Sequence, residues 1–260
     1  MDHTIKMQNV SWKRDGKLIL QNINWKVNKG EHWAILGLNG SGKTTLLNML
    51  NGYIWPTSGK VSVLGNLFGR TDIRELRKFI GWVSSSLEYR IRPMHKTQDI
   101  IVSGKYASIG LYEDPTKEDY QKAYHLMEEL RCCDLQDRTY QTCSQGERQK
   151  ILIARALMAS PNVLILDEPT SGLDFIARED ILATIKRLAA QKEGPTILFV
   201  THHIEEILPI FSHTLLLRQG AVFAQGEREK VLNSASLTNF FEKNVQVDWH
   251  HDRAWMALLE

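Results

Sequence analysis

Cysteine is scarce in this 260-residue sequence: Cys132, Cys133 and Cys143 are the only three. Their spacing matches neither a disulfide framework nor a zinc site. The adjacent pair falls in a helical pattern, so buried thiols are expected rather than a redox couple. No apolar run approaches the ~20 residues that span a bilayer. No charged start followed by an apolar stretch marks a secretory leader. Long repeats and low-complexity linkers are missing too. The net charge is only +2, which leaves no electrostatic footprint for nucleic acid. These absences predict a soluble protein of a reducing compartment. If it works at a membrane, another polypeptide must supply the span. The hydrophobic and charged fractions, 43% and 24%, are those of an ordinary globular protein. The length suffices for one compact domain with a subdomain.

What is present begins with Gly37-Leu38-Asn39-Gly40-Ser41-Gly42-Lys43-Thr44, which fits the phosphate-loop pattern G-x-x-x-x-G-K-[S/T] at every fixed position. An apolar, strand-like segment (32–36) precedes it and a helix-like one (44–50) follows. Glycines let the backbone wrap a phosphate chain, so its N–H groups and the helix N-terminus face the anion. Lys43 can then reach the β- and γ-phosphates and Thr44 can hold Mg²⁺, with the nucleotide-binding stretch expected to run from Gly37 to Thr45. A nucleoside triphosphate ligand is expected.

The rest of the chain alternates strands and helices. Residues 4–27 read as β-rich, with a turn at Asp15-Gly16. Pro56 to Gly59 reads as a turn before a strand at 60–64, and 74–79 as helical before a short strand at 80–83. Residues 84–140 hold helical patterns and no obvious strand, as expected of a helical subdomain inserted into an α/β core. A helix (145–158), a buried strand (163–166), a helix (174–192) and a strand (196–200) follow. Such alternation argues for a mainly parallel sheet with crossover helices. Residues 215–225 read as a hairpin around Gln219-Gly220. The expected division is one domain: an α/β core with a β subdomain at 1–83 and 159–225, a helical subdomain with its terminal helix at 84–158, and a tail of mixed helix and coil at 226–260.

A second motif is the apolar run Val163-Leu164-Ile165-Leu166 ending in Asp167-Glu168-Pro169. A carboxylate at such a strand end can anchor Mg²⁺ opposite a phosphate loop. Asp167 suits that role. Glu168, one residue on, can polarise a water for attack on the γ-phosphate.

At this point the chain resembles the ATP-binding-cassette ATPases. Cys143-Ser144-Gln145-Gly146-Glu147-Arg148-Gln149-Lys150 is similar to the family's signature, LSGGQ followed by a basic helix. Ser171-Gly172-Leu173-Asp174 matches its D-loop. Thr201-His202 stands where the family places its switch histidine, and the likeness runs from Thr4 to about Gln225. The resemblance implies the phosphate-loop cassette fold, with an N-terminal antiparallel β subdomain and an inserted helical subdomain. It also implies a head-to-tail homodimer holding two ATP molecules, the signature of one copy (Ser144, Gly146) closing over ATP on the phosphate loop of the other. Asp174 would cross that interface. His202 would contact the γ-phosphate and hold Glu168 and the water in place.

Besides Cys143, Gln145 and Glu147 within the signature, where Ser144 and Gly146 are retained, two positions depart from the family pattern. Ser85, within Ser84-Ser85-Ser86, stands where a glutamine usually reaches Mg²⁺ and couples the site to a membrane partner. The adenine-stacking tyrosine is absent; Arg14 occupies its position by length, and Trp12 falls on the same strand face. Either could stack on the purine. The resemblance implies a Mg²⁺-dependent ATPase subunit, cytoplasmic and peripheral at the inner face of the membrane, powering import through separate integral-membrane permease subunits. Val102-Ser103-Gly104-Lys105 and Gly110-Leu111-Tyr112 are similar to importers of the metal-chelate and molybdate type. The alternative is a soluble, non-transport cassette protein acting on the ribosome or nucleic acid.

Overall fold

The computed structural model describes residues 3–106, 110–111 and 114–259; of Ser85 it describes the backbone alone. Tyr112, part of the Gly110-Leu111-Tyr112 likeness, lies outside the described residues. The strands are β1 (His3–Arg14), β2 (Lys17–Asn28), β3 (Trp33–Leu36), β4 (Ser58–Val63), β5 (Asn66–Leu67), β6 (Ile80–Ser84), β7 (Val163–Asp167), β8 (Thr196–Thr201), β9 (His213–Arg218), β10 (Ala221–Glu227), β11 (Val245–His250) and β12 (Arg253–Leu258). The helices are α1 (Lys43–Leu50), α2 (Ile73–Arg77), α3 (Ser85–Glu88), α4 (Thr97–Ser103), α5 (Lys117–Glu129), α6 (Gln145–Leu157), α7 (Phe175–Ala189), α8 (Arg228–Val231) and α9 (Ser234–Phe241). The chain forms two compact units, residues 1–77 with 196–260, and residues 78–195.

The first unit holds two kinds of sheet. An antiparallel sheet runs β2-β1-β4-β5. Its first hairpin turns at Asp15-Gly16, both at positive φ (49° and 77°), the geometry whose twist matches the flanking strands. Ile23, Trp25 and Val27 alternate inward and are buried, as their period-2 spacing requires. Strand β4 starts at Ser58, inside the turn expected over Pro56 to Gly59, because Ser58 already pairs with Ser11. The other sheet has β3 between two parallel neighbours, β8 and β9, with β10 antiparallel on β9. Every residue of β3 and β8 is buried. Unbroken apolar runs are what strands covered on both faces need.

The tail departs from its expected mixed helix and coil. After α8 and α9, β11 and β12 form a two-stranded antiparallel sheet from Val245↔Leu258 to His250↔Arg253. Val245, Val247 and Trp249 do alternate with Gln246, Asp248 and His250. The turn is made by His251-Asp252 at φ 49° and 57°, with no glycine to announce it.

The second unit carries β6 and β7, paired in parallel from Ile80↔Val163 to Ser84↔Asp167, together with α3 to α7. Within 85–140 the only pairing among the described residues is an isolated Lys96–Thr139 bridge. Helix α5 begins with a capping box between Thr116 and Asp119, and the Asp119 carboxylate also takes Lys105 Nζ at 2.7 Å. Lys105 thereby holds the Asp119 carboxyl below its ordinary range. Gly104 has a packing reason: a Cβ there would lie 2.0 Å from the Arg155 carbonyl oxygen of α6. Ile100, Ile101, Ala123, Met127, Ile151 and Leu152 fill the unit's helical core. Cys132 and Cys133 are free thiols past the end of α5, not inside it: Cys132 precedes and Cys133 opens a single 3-10 turn, Cys133–Leu135. Cys132 is buried, and burial pushes its thiol up to about 12.

Candidate nucleotide site

The phosphate loop connects β3 to α1 in the first unit. Gly37 is buried against the loop's own far side: a Cβ would sit 2.5 Å from Ser41 Oγ and 2.7 Å from the Leu217 carbonyl oxygen. Only a residue without a side chain lets the loop close here. The Ser41 N–H donates to the Leu38 carbonyl (3.1 Å), and the Ser41 carbonyl accepts from Gly220 N–H (2.9 Å). The β9–β10 turn is therefore part of the loop's scaffold. Ser41 is buried, and its hydroxyl has no hydrogen-bond partner among the described residues. Gly42 caps α1 at φ 104°. Asn39 and Gly40 are exposed at the loop tip. Lys43 is buried, with Nζ donating to the Gly37 carbonyl at 2.7 Å and the Leu38 carbonyl at 3.4 Å. Its ammonium thus lies across the mouth of the loop. Thr44 is exposed and Thr45 half-buried in the first turn of α1.

The end of the first hairpin reaches this loop. A Cβ on Gly42 would lie 3.0 Å from Leu20 Cδ2, and Leu20 is the cross-strand partner of Trp12. Trp12 is half-buried; Arg14 is exposed two residues nearer the turn, its Nε 3.7 Å from Asp15 Oδ2.

His202 belongs to the same unit. Leu36 pairs with Thr201, so Gly37 and His202 follow at neighbouring ends of parallel strands. Thr201 Oγ1 donates to Glu206 Oε2 at 2.5 Å, both residues being buried, and accepts from His203 N–H at 3.0 Å. The segment is stapled across its base while His202 and His203 stay exposed, their rings 4.1 Å apart. His203 also faces Glu205, Nδ1 to Oε1 3.5 Å.

The acidic pair lies in the second unit. Asp167 ends β7 opposite Ser84, the last residue of β6, so Glu168 and Ser85 are the first residues past neighbouring strand ends. The register thus sets the position lacking the family's glutamine beside the proposed base. Glu168 holds a left-handed backbone, φ 50°, rare for a residue with a side chain. Its carbonyl accepts from Ser171 N–H at 3.1 Å. Backbone strain of this kind gathers where a side chain must be aimed. Ser84 Oγ lies 2.9 Å from Ser86 Oγ.

The signature tip is in this unit as well. Ser144 is exposed and caps α6: its Oγ accepts from Glu147 N–H, while Glu147 Oε2 accepts from Ser144 N–H at 2.6 Å. Burial alone would raise the Glu147 carboxyl, but the Ser144 hydrogen bonds and Arg138 hold it below its ordinary value. Arg138 Nη1 is 3.1 Å from Glu147 Oε1. Gly146 is half-buried, 3.3 Å from the Ala177 Cβ if given a Cβ of its own. Gln145, where the family has glycine, donates from Nε2 to the Ser171 carbonyl at 3.1 Å. This tie between signature and D-loop escaped sequence reasoning; the only signal was a long polar residue at a glycine position. Asp174 is exposed and caps α7 through Ala177 N–H at 2.9 Å, with Phe175 and Ile176 exposed beside it.

The family profile described as ABC transporter matches residues 20–171. The chain is 52% identical to the Bacillus subtilis ABC transporter ATP-binding protein YlmA, itself uncharacterized, over 98% of this chain and 97% of that one. It is 33% identical to the Haemophilus influenzae molybdate import ATP-binding protein MolC, over 93% of this chain and 89% of MolC. Among solved structures, an inward-facing ABC transporter described as of metal-chelate type superposes with a TM-score of 0.81 at 29% identity, covering 100% of this chain and 98% of that chain. The phosphate loop on its parallel strand and near-complete alignment with ATP-binding relatives lead to one conclusion: the chain belongs to the ABC transporter family, among its ATP-binding cassettes.

Proposed function

We propose that the chain hydrolyses ATP with Mg²⁺, as one of two head-to-tail cassettes that power solute import through separate membrane permease subunits. The observation that carries the reading is the cradle itself: a loop that a Cβ at Gly37 would fill, with a buried, unpartnered Ser41 hydroxyl and Lys43 across its mouth. Those features fit a triphosphate. Backbone N–H groups from Gly37 to Thr45, with the Asn39, Gly40 and Gly42 turn, bind the phosphates, and Lys43 neutralises charge that develops during transfer. Thr44 and Asp167 would hold Mg²⁺, which supplies neutralisation of the β- and γ-phosphate oxygens when bound. Glu168 accepts a proton from the attacking water, and His202 orients the terminal phosphate. Arg14 or Trp12 stacks on the base. Phosphoryl transfer asks mainly for positioning and electrostatics, which a rigid loop on a buried strand provides.

Support for a second copy comes from the surface of the second unit. Ser144 is exposed at a helix tip, and Phe175 and Ile176 are exposed beside the D-loop at 60% and 74%. An exposed serine at a helix N-terminus, its hydroxyl accepting from Glu147 N–H and still able to donate, suits an anion brought by a partner. Among the described residues no helix is long and apolar enough to cross a membrane. The MolC similarity favours import, with the work done at the inner face of the membrane.

The test is Glu168→Gln. It is expected to keep ATP affinity and to lose turnover by about a hundredfold or more. Wild-type hydrolysis by this variant would refute the assignment of the base, and normal binding and turnover in Lys43→Ala would overturn the loop reading. The serine at position 85 favours the second reading, a non-transport cassette. Affinity capture from cells separates them: a permease supports transport, whereas ribosomes or nucleic acid support the alternative.

A further inference from the structure

We propose that the C-terminal hairpin sets the switch histidine, with Arg253 as its positioning residue. The inference rests on His202 acting in hydrolysis as proposed above. Segment 201–206 is closed on itself by Thr201, Glu206 and the His203 N–H, but this staple fixes only its base. The outer side is held from elsewhere in the chain. Arg253, first residue of β12, donates from Nε to the Glu205 carbonyl at 2.8 Å, and its Nη2 donates to the same oxygen. The acceptor lies three residues beyond His202, on the short turn Ile204–Glu206.

The hairpin is anchored well enough to transmit this grip. Buried Arg228 of α8 donates from Nη1 to the Asp252 carbonyl at 2.6 Å, fixing the hairpin's turn next to Arg253. The Arg228 N–H donates to the Ser212 carbonyl at 3.0 Å, at the edge of β9. At the far end, Val247 N–H donates to Ser234 Oγ (2.9 Å) and Val245 N–H to Thr238 Oγ1 (3.2 Å), both on α9. Ala254, next to Arg253, is fully buried. The chain thus runs from α8 and α9 through the hairpin turn to one guanidinium and then to the switch turn. A planar fork sets both position and direction of a carbonyl, which a lysine ammonium cannot do. A group on a loop gains precision when such a support locks it, and an error of 1 Å can cost on the order of a hundredfold in rate.

The test uses the full-length protein, with steady-state hydrolysis of Mg-ATP and thermal unfolding measured together. Arg253→Ala should lower kcat about tenfold and leave KM within about twofold, since the nucleotide cradle is untouched. Arg253→Lys should fall between, keeping the charge but not the fork. In a His202→Ala background, Arg253→Ala should change kcat by less than about twofold, because residues acting as one unit are not additive. Should Arg253→Ala fold poorly, Arg253→Lys carries the same comparison. Normal kcat in a folded Arg253 variant, with His202→Ala impaired, overturns this inference alone. So does a full tenfold effect on top of His202→Ala. Wild-type turnover in His202→Ala removes the switch reading itself, and the inference with it.

Discussion

Leu36 and Thr201 are cross-strand partners in the parallel β3–β8 pair. One residue beyond them lie Gly37 and His202, which are separated by most of the sequence. A single register therefore ties the phosphate loop to the segment that opens at Thr201 and His202. A slip by one residue would reverse the face of every side chain on β8, all of them buried, so the register is strongly held.

Gly37→Ala tests the closure of the loop. The added methyl would meet Ser41 Oγ at 2.5 Å and the Leu217 carbonyl oxygen at 2.7 Å. Overpacking of this kind costs about 1–3 kcal/mol, which lowers the unfolding midpoint by several degrees. The protection that Mg-ATP gives against thermal unfolding should shrink in the variant. Unaltered protection would show that the loop tolerates a side chain here.

Gln145→Ala removes the amide that holds the Ser171 carbonyl. Gln145 is exposed, so stability should stay within about 0.5 kcal/mol. Turnover should fall about threefold, equal to roughly 0.7 kcal/mol, the size of one neutral hydrogen bond. A steady-state assay beside urea denaturation separates the two effects.

Glu147 gives the signature helix a pH dependence. Its carboxyl is held below the ordinary value in the folded chain, so its contribution to stability is present above that ordinary value and is lost as pH falls through the folded one. Glu147→Ala should therefore cost stability near neutral pH, about 1 kcal/mol for the cap, and progressively less in acid. Urea midpoints of the two proteins should converge as pH falls through the carboxylate range.

Gly104→Ala addresses packing in the second unit. A Cβ would stand 2.0 Å from the Arg155 backbone oxygen, where no flexible side chain can yield. The substitution should cost about 2 kcal/mol or more by forcing α4 from α6. An unchanged denaturation midpoint would contradict the close approach.

Much of this chain was legible because its signals are local. The Asp15-Gly16 turn, the apolar runs of β3 and β7, and the helix opening at Gln145 each depend on neighbours in sequence, and each formed where its pattern lay. Boundaries moved by a residue or two where pairing decided them, as at Ser58. The C-terminal hairpin was missed because its turn, His251-Asp252, carries none of the usual turn glycine. Cys132 was placed in a helix because its neighbours keep the helical spacing, yet α5 ends at Glu129.

The amino-acid order alone determined that the chain has a phosphate loop, a strand-end acidic pair and a serine-glycine helix tip, since each motif is a run of adjacent residues whose backbone shape they dictate themselves. Tertiary structure alone decided which distant residues support them. The Gly220 amide under Ser41, the Gln145 amide on Ser171 and the Arg253 fork on Glu205 are contacts between segments that sequence spacing does not relate. Such contacts arise only when strand register and helix packing bring backbone carbonyls within reach, and a carbonyl looks the same in every residue of the sequence.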